Sequence, residues 1–388
     1  MTSSQGKVAI VGAGIVGAAI ARALAREGFQ VIVIDPRPVG SGATAAGMGH
    51  LVVMDDSEAQ FALSRYSQLL WDQLAPSLPP EVEFSRFGTI WVAADGGEMG
   101  EVHRKHNFFL EREVKTEILN GKELSAHEPN LRSGLAGGLR VPGDSVLYPV
   151  CAARWLLEEA IQYGAELQVG KPVVSLTGQC AKLADNSLIH ADIIVNAAGC
   201  LATRLTAGLE VRPRKGHLVI TDRYPGFVQH QLLELGYLKS AHGSDRESVA
   251  FNVQPRPTGQ LLIGSSRQFG SEEPDVDPAI LRKMILRALA YMPGLKSVSA
   301  LRVWTGLRAA TPDSLPLIGP HPDYPHLYLA TGHEGLGITT SLATAEIIAD
   351  HLMGRPSAIP SDPYLPARFG ALMTHAQFDC RDNQRSPD

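Results

Sequence analysis

The segment KVAIVGAGIVGAAIARALAREGFQVIVID, Lys7 to Asp35, constrains the fold of this chain more than any other. Lys7–Val11 is an apolar run of the length a buried parallel strand needs. Gly12, Gly14 and Gly17 follow in GxGxxG spacing. Ile15, Ala18, Ala19, Ala21, Ala23, Leu24 and Ala25 can then cover one face of a helix, which Gly28 stops. Val31–Ile34 reads as a second strand ending in Asp35. Each glycine has a distinct role at this spacing. Gly12 makes the tight turn, Gly14 lets the backbone approach a pyrophosphate, and Gly17 lets helix and strand pack closely. The helix N-terminus presents N–H groups to the phosphates, and Asp35 is placed to accept hydrogen bonds from a ribose. Strand, glycines, helix, strand and acid in register indicate a bound nucleotide, not merely a Gly-rich turn. They do not by themselves separate FAD from NAD.

A chain of 388 residues is long enough for two or three domains. Its 19% charged and 44% hydrophobic residues and net charge of -5 are ordinary for a soluble globular enzyme and argue against a nucleic-acid partner. No run of about 18 apolar residues exists, so no membrane span is expected. The βαβ grammar accounts for the apolar residues after Lys7 better than a secretory signal does. Cys151, Cys180, Cys200 and Cys380 show no CxxC spacing, so neither a metal site nor a redox pair is suggested. Scattered thiols fit a reducing compartment, and the cytoplasm is the expected location.

After Asp35 and Pro36 comes a loop of small residues, GSGATAAGMGH, suited to backbone lying against something large and flat. Ser57–Ala75 has helical apolar spacing. A strand at FSRFGTIWVAA, a charged helix around Glu98–Glu113 and LSAHEPNL look inserted, because βαβ punctuation resumes only toward Pro149, which starts a helix that Gly164 ends. ADIIVNAAG is a buried strand with a Gly end. Long strands follow Arg212, with Arg212, Arg214 and Lys215 read as a solvated basic entrance. A helix spans Pro278–Tyr291, and GITTSLATAEIIADHLMG is helical through Ile338, Leu342, Ala345, Ile348 and Ala349. Beyond Arg355 the Pro-rich residues read as a fraying tail.

Taken together, the glycine fingerprint with Asp35, GATAAGM, VNAAG, TGLRAATPDSLPLIGP and GHEGLGITTSLATAEIIA resemble the D-amino-acid oxidase superfamily, in order from Lys7 to Leu352. GMGHLV and GHEGLG look most like the bacterial D-proline and hydroxy-D-proline dehydrogenases or oxidases. The resemblance implies an α/β chain with a Rossmann-like domain holding non-covalent FAD and a sheet-rich α+β substrate domain. The first would be built from residues 1–82, 143–211 and 300–388, the second from 83–142 and 212–299.

The same resemblance places Gly12, Ala13, Gly14, Ile15, Val16, Gly17, Asp35 and Pro36 on the dinucleotide, with Val173 at the adenine. Thr44, Ala45, Gly47 and Met48 would line the flavin ring, Ala198 and Gly199 would meet the cofactor through their backbone, and Gly306 and the run Gly332, His333, Gly335, Leu336, Gly337 and Ile338 would also bind it. Physically, a helix starting at GLGIT can aim N–H groups at the negative charge of a reduced flavin. Amino-acid oxidation needs orientation above all, and a bidentate arginine supplies it by fixing a carboxylate. Arg308 matches the family's carboxylate-binding arginine. His333, Glu334 and His50 are further candidates for binding substrate or taking up a proton near neutral pH, and Glu334 can instead cap its helix. HEGLG lacks the second arginine, and FNVQP offers Asn252 where a tyrosine stands, of the glycine oxidases that resemble this chain. These departures disfavour glycine. The expected reaction is oxidation of a small amino or imino acid to its imine, with oxygen, a quinone or a partner protein as electron acceptor. The alternatives are an NAD(P)-dependent dehydrogenase and a flavoprotein recruited to tRNA modification.

Overall fold

The structure is a computed structural model in which residues 5–236 and 247–370 are described. Cys380 and the end of the C-terminal segment lie outside them. The chain divides into two compact units, 1–45 with 150–212 and 309–388, and 46–149 with 213–308.

The first unit is organised on a six-stranded sheet whose order is Leu317–Pro320, Leu327–Thr331, Ile193–Asn196, Lys7–Val11, Gln30–Asp35 and Glu166–Val169. All neighbours run parallel except Leu317–Pro320, which returns antiparallel to Leu327–Thr331. Successive strands are added on one side of Lys7–Val11 and later ones on the other, so the chain reverses direction at that strand's C-terminal end. In doubly wound sheets this reversal opens a ligand crevice. Lys7–Val11 carries an almost fully buried apolar run, as a strand covered on both faces must. The Ala-rich helix Ile15–Arg26 follows, and Gly28, at φ +87°, takes the left-handed conformation just beyond it. Pro149 opens the helix Pro149–Gln162, and Gly354 closes the helix Gly337–Met353 at φ +66°. Val173 begins a strand of a small three-stranded sheet.

The second unit is built on an eight-stranded sheet. Its order is Ala300–Ala310, Arg212–Arg223, Gln260–Phe269, Glu247–Pro255, Gln231–Glu234, Thr89–Ala93, Gly137–Val141 and Glu117–Asn120. Alternation along these strands separates two faces. Val219, Phe251, Val253, Leu261 and Ile263 pack with Met284, Ala288 and Tyr291 of the helix Pro278–Tyr291. Leu218 and Leu262 project to the opposite face, where they pack with Met48.

Three expectations need correction. Residues 46–82, 143–149 and 300–308 belong to the second unit, not the first. The helix Glu58–Leu74 shows why: Gln68 donates to Gly143 O at 3.3 Å and to Asp144 Oδ1 at 3.0 Å, and Phe61 packs on a core containing Trp91 and Val141. The basic entrance is not solvated throughout, because Arg214 and Lys215 are buried and only Arg212 is exposed. Beyond Arg355 the chain forms short helical turns at Asp362–Tyr364 and Pro366–Phe369. Tyr364 is fully buried there, and Arg368 pairs with Asp313 at 2.7 Å.

Asp144 gives the second unit a pH-sensitive fastening. Its enclosed carboxyl accepts from Val53 N–H at 3.2 Å and from Gln68, and burial raises its pKa to about 7. A folded-state pKa above the unfolded one favours the protonated native state. That stability is full below the unfolded pKa and is lost as pH rises toward about 7. Asp144→Asn is therefore expected to flatten the decline in melting temperature between about pH 5 and pH 8. An unchanged slope would refute the assignment.

Candidate functional site

In the first unit the glycine turn takes the geometry its spacing implies. Gly12 has φ +117°, and a Cβ there would lie 2.5 Å from Ala197 O and 3.2 Å from Ala198 N. A Cβ at Gly17 would lie 1.9 Å from Gly12 O, so helix and strand meet backbone to backbone. Gly14 differs, since a Cβ there would meet only Thr44 Oγ1 at 3.2 Å. Its absent side chain leaves room for a ligand, not for another part of the protein. Gly14 is the N-cap of the helix, no acid occupies the first turn, and Thr44 Oγ1 accepts from Ile15 N–H at 3.0 Å.

Asp35 has a local role that sequence spacing did not reveal. One carboxylate oxygen accepts from Ala13 N–H and the other from Arg37 N–H, both at 2.8 Å. The acid thus ties the glycine turn to the end of the second strand. Pro36 is exposed beside it. Gly199 closes the VNAAG strand end, and its carbonyl accepts from Thr331 Oγ1 at 2.9 Å.

The GHEGLG run comes to the same place. A Cβ at Gly337 would lie 3.9 Å from Val16 Cγ2, so the two helix N-termini are neighbours. The N-cap residue Leu336 contributes no capping side chain to the helix Gly337–Met353, and the first turn holds no acid. The Glu334 carboxylate accepts from the adjacent Gly335 N–H at 2.6 Å. His333 is buried, with Nε2 3.0 Å from Thr344 Oγ1, and burial lowers its pKa to about 4. It is therefore neutral near pH 7, and a weak base for the proton uptake expected there. Gly332 is held against Thr311, to whose Cγ2 a Cβ would come within 2.6 Å.

The remaining candidates lie in the second unit. Gly306 packs on Ala46, where opposing Cβ atoms would be 2.4 Å apart, which explains its glycine without a cofactor. Gly47 is half-buried. Met48 is buried beside Leu218 and Leu262, and its carbonyl accepts from Gln254 Nε2 at 2.7 Å. Arg308 lies flat over Gly216: a Cβ on Gly216 would stand 2.4 Å from Nη1 and 2.6 Å from Nη2. Arg308 Nη1 donates to Ser266 O at 3.0 Å, and no carboxylate pairs with Arg308 among the described residues. The imidazole of His50 is enclosed. Burial, with a smaller contribution from the Arg308 charge and opposed by a Gln254 hydrogen bond, lowers its pKa to about 4. His50 too is uncharged near neutral pH. Gly216, Gln254 and Ser266 were not singled out from sequence. The glycine of KGH was the available signal.

A helix start with no acid in its first turn, behind a glycine turn at the reversal point of a parallel sheet, defines a dinucleotide-binding protein. Residues 7–351 match the DAO family of FAD-dependent oxidoreductases, and the chain belongs to that family. It is 27% identical to the glycine oxidase of Geobacillus kaustophilus over 92% of this chain and 95% of that one. It is 26% identical to a D-amino acid dehydrogenase of Paramagnetospirillum magneticum over 95% of this chain and all of that one, 100%. The crystal structure of the G. kaustophilus glycine oxidase superposes with a TM-score of 0.83 at 26% identity, covering 96% and 99% of the two chains. The L-proline dehydrogenase of P. horikoshii also gives 0.83, at 24% identity over 95% and 100%, a likeness of fold.

The cofactor is FAD, and the NAD(P) alternative does not stand. The first unit fits it: Gly14 leaves space, and neither helix carries an acid in its first turn. Gly12 to Gly17 would hold the pyrophosphate, with Asp35 toward the ribose and Gly335–Ile338 toward the ring. When bound, FAD supplies a two-electron acceptor for C–H oxidation.

Proposed function

We propose that this FAD-dependent oxidoreductase oxidises a small D-amino or cyclic imino acid, of the D-proline or hydroxy-D-proline type, to its imine. The observation that carries this reading is Arg308, a half-buried guanidinium pinned over Gly216 by one main-chain carbonyl and lacking a carboxylate partner among the described residues. A guanidinium held in this way suits a bidentate substrate carboxylate.

The surroundings favour a substrate with an apolar body. Met48, Leu218 and Leu262 form a buried apolar cluster with Trp304 packed against it, a surface that glycine has no side chain to use. The Oδ1 of Asn252 is buried without a hydrogen-bond partner among the described residues, and so offers a neutral acceptor for an amine N–H. With His50 neutral, Arg308 would orient the carboxylate while the substrate amine stays uncharged, as loss of the α-hydrogen as hydride requires. The named activities of the relatives, glycine oxidase and D-amino acid dehydrogenase, support amino-acid oxidation in general. The scattered cysteines, without CxxC spacing, suit the cytoplasm. The acceptor would be oxygen, a quinone or a partner protein.

The test is a substrate panel of D-proline, the hydroxy-D-prolines, other D-amino acids, L-proline, sarcosine and glycine. Anaerobic bleaching of the flavin band, dye reduction and peroxide formation are read in parallel. D-proline or a hydroxy-D-proline is expected to bleach the flavin fastest and glycine poorly. Fastest reduction by glycine would overturn the substrate assignment, and no reduction by any amino or imino acid would overturn the reaction class.

A further inference from the structure

We infer that Ser266, held by His217, is a positioning residue that sets where the Arg308 guanidinium sits. The inference rests on the reading of Arg308 as carboxylate anchor. The ladder between the strands Arg212–Arg223 and Gln260–Phe269 is regular at Arg214 and Lys215, resumes at Val219, and shifts register between them. Within that interruption His217 N–H donates to the Ser266 hydroxyl, at 2.9 Å. The carbonyl of the same serine accepts from Arg308 Nη1 at 3.0 Å. One residue thus serves both sides: its side chain accepts from the neighbouring strand, and its carbonyl holds the arginine.

His217 fixes that serine from a second direction. Its Nε2 accepts from Asp277 N–H at 2.9 Å, which leaves the ring proton on Nδ1. Nδ1 lies 2.9 Å from Ser266 Oγ and donates to it. His217 is fully buried and Ser266 is 1% exposed, so water does not substitute for either bond. Burial, with the charges of Lys215 and Arg308, keeps the imidazole neutral, and Asp277 opposes this only in part. Asp277 in turn caps the helix Pro278–Tyr291 through Ala279 N–H at 2.9 Å and Ile280 N–H at 3.2 Å. The arginine is therefore indexed, through Ser266 and His217, to the start of that helix. Gly216, where any Cβ would displace the guanidinium, completes the seat.

The test measures benzoate binding to the FAD-loaded protein by calorimetry. Ser266→Ala is expected to weaken benzoate about tenfold while FAD per chain stays at the parental value, because the guanidinium loses its fixed position and not its charge. In an Arg308→Ala background the same substitution is expected to add nothing, the non-additivity of residues acting in series. Equal losses in both backgrounds would reduce Ser266 to a stability role and overturn the inference. If Ser266→Ala does not fold, His217→Asn and His217→Gln carry the test. Asparagine keeps an N–H toward Ser266, whereas glutamine moves its amide toward Asp277, so asparagine is expected to retain affinity and glutamine to lose it. Equal affinities overturn the inference. If Arg308→Ala itself leaves benzoate binding unchanged, the anchor reading falls and takes this one with it. A loss with Arg308→Ala but none with Ser266→Ala defeats the positioning role alone.

Discussion

Gly17→Ala is expected to yield protein that is colourless and at least about 5 °C less stable, because it drives two backbones apart. The new Cβ would lie 1.9 Å from Gly12 O and 3.1 Å from Gly12 C, with Ile10 Cγ2 at 3.5 Å. The two nearest atoms are main chain and have no rotamer to change. Relief requires the helix Ile15–Arg26 to move away from Lys7–Val11, although nine of its residues are buried. Overpacking a core costs about 1–3 kcal/mol where side chains yield, and more where they do not. Gly14→Ala makes the control, since its Cβ would meet only Thr44 Oγ1 at 3.2 Å. That variant should lose flavin yet melt where the FAD-free parent melts, because a methyl then stands where a pyrophosphate approaches and no backbone is displaced. Flavin absorbance per chain and melting temperature separate the two. Parental stability in Gly17→Ala, or full FAD in Gly14→Ala, would contradict the roles assigned to these glycines.

The glycine turn was legible because backbone demands of this kind admit one residue type. Gly12 needs φ +117°, and Gly17 needs no Cβ, so sequence and geometry are nearly the same statement. The closing helix was legible for a related reason, with Gly354 stopping it in the left-handed conformation. Other properties depend on distant partners. The amphipathic spacing of Glu58–Leu74 says that a face is buried but not against what, and its deciding contact, Gln68 to Asp144, spans 76 residues. The residues after Arg355 are polar and Pro-rich, yet Leu365 fills the space over Gly319. Arg214 and Lys215 look solvent-seeking until a bulged ladder encloses them. In the candidate site, Arg308 was legible from its motif. The Ser266–His217 pair that seats it was not, because a register shift leaves no periodic trace. The charge states of His50 and His333 follow from enclosure, which sequence does not display.

Arg308→Ala should be the most damaging substitution to turnover that leaves the flavin in place. Losing a charge-assisted bidentate pair in a partly dry site costs on the order of 2–5 kcal/mol. At about 1.4 kcal/mol per tenfold, kcat/KM should fall by roughly 30-fold to several thousand-fold. FAD content should stay near parental, because Arg308 belongs to the second unit and the glycine turn to the first. Arg308→Lys should recover only part of the loss. An ammonium lacks the planar fork, and it cannot both donate to Ser266 O and present two parallel N–H groups. Benzoate affinity should fall in parallel with kcat/KM, as expected if the lost contact is to a carboxylate. His50 is not expected to take over the role by charge: its enclosure, the largest cause of its lowered pKa, persists in the variant, and only the smaller contribution of the Arg308 charge is lost. Rescue by acidification should therefore not occur between about pH 6 and pH 8. If Arg308→Ala kept kcat/KM within about threefold of the parent, or lost its flavin, the carboxylate would have to be held by a different group. The neutral amides of Asn252 and Gln254 would then be the next residues to substitute.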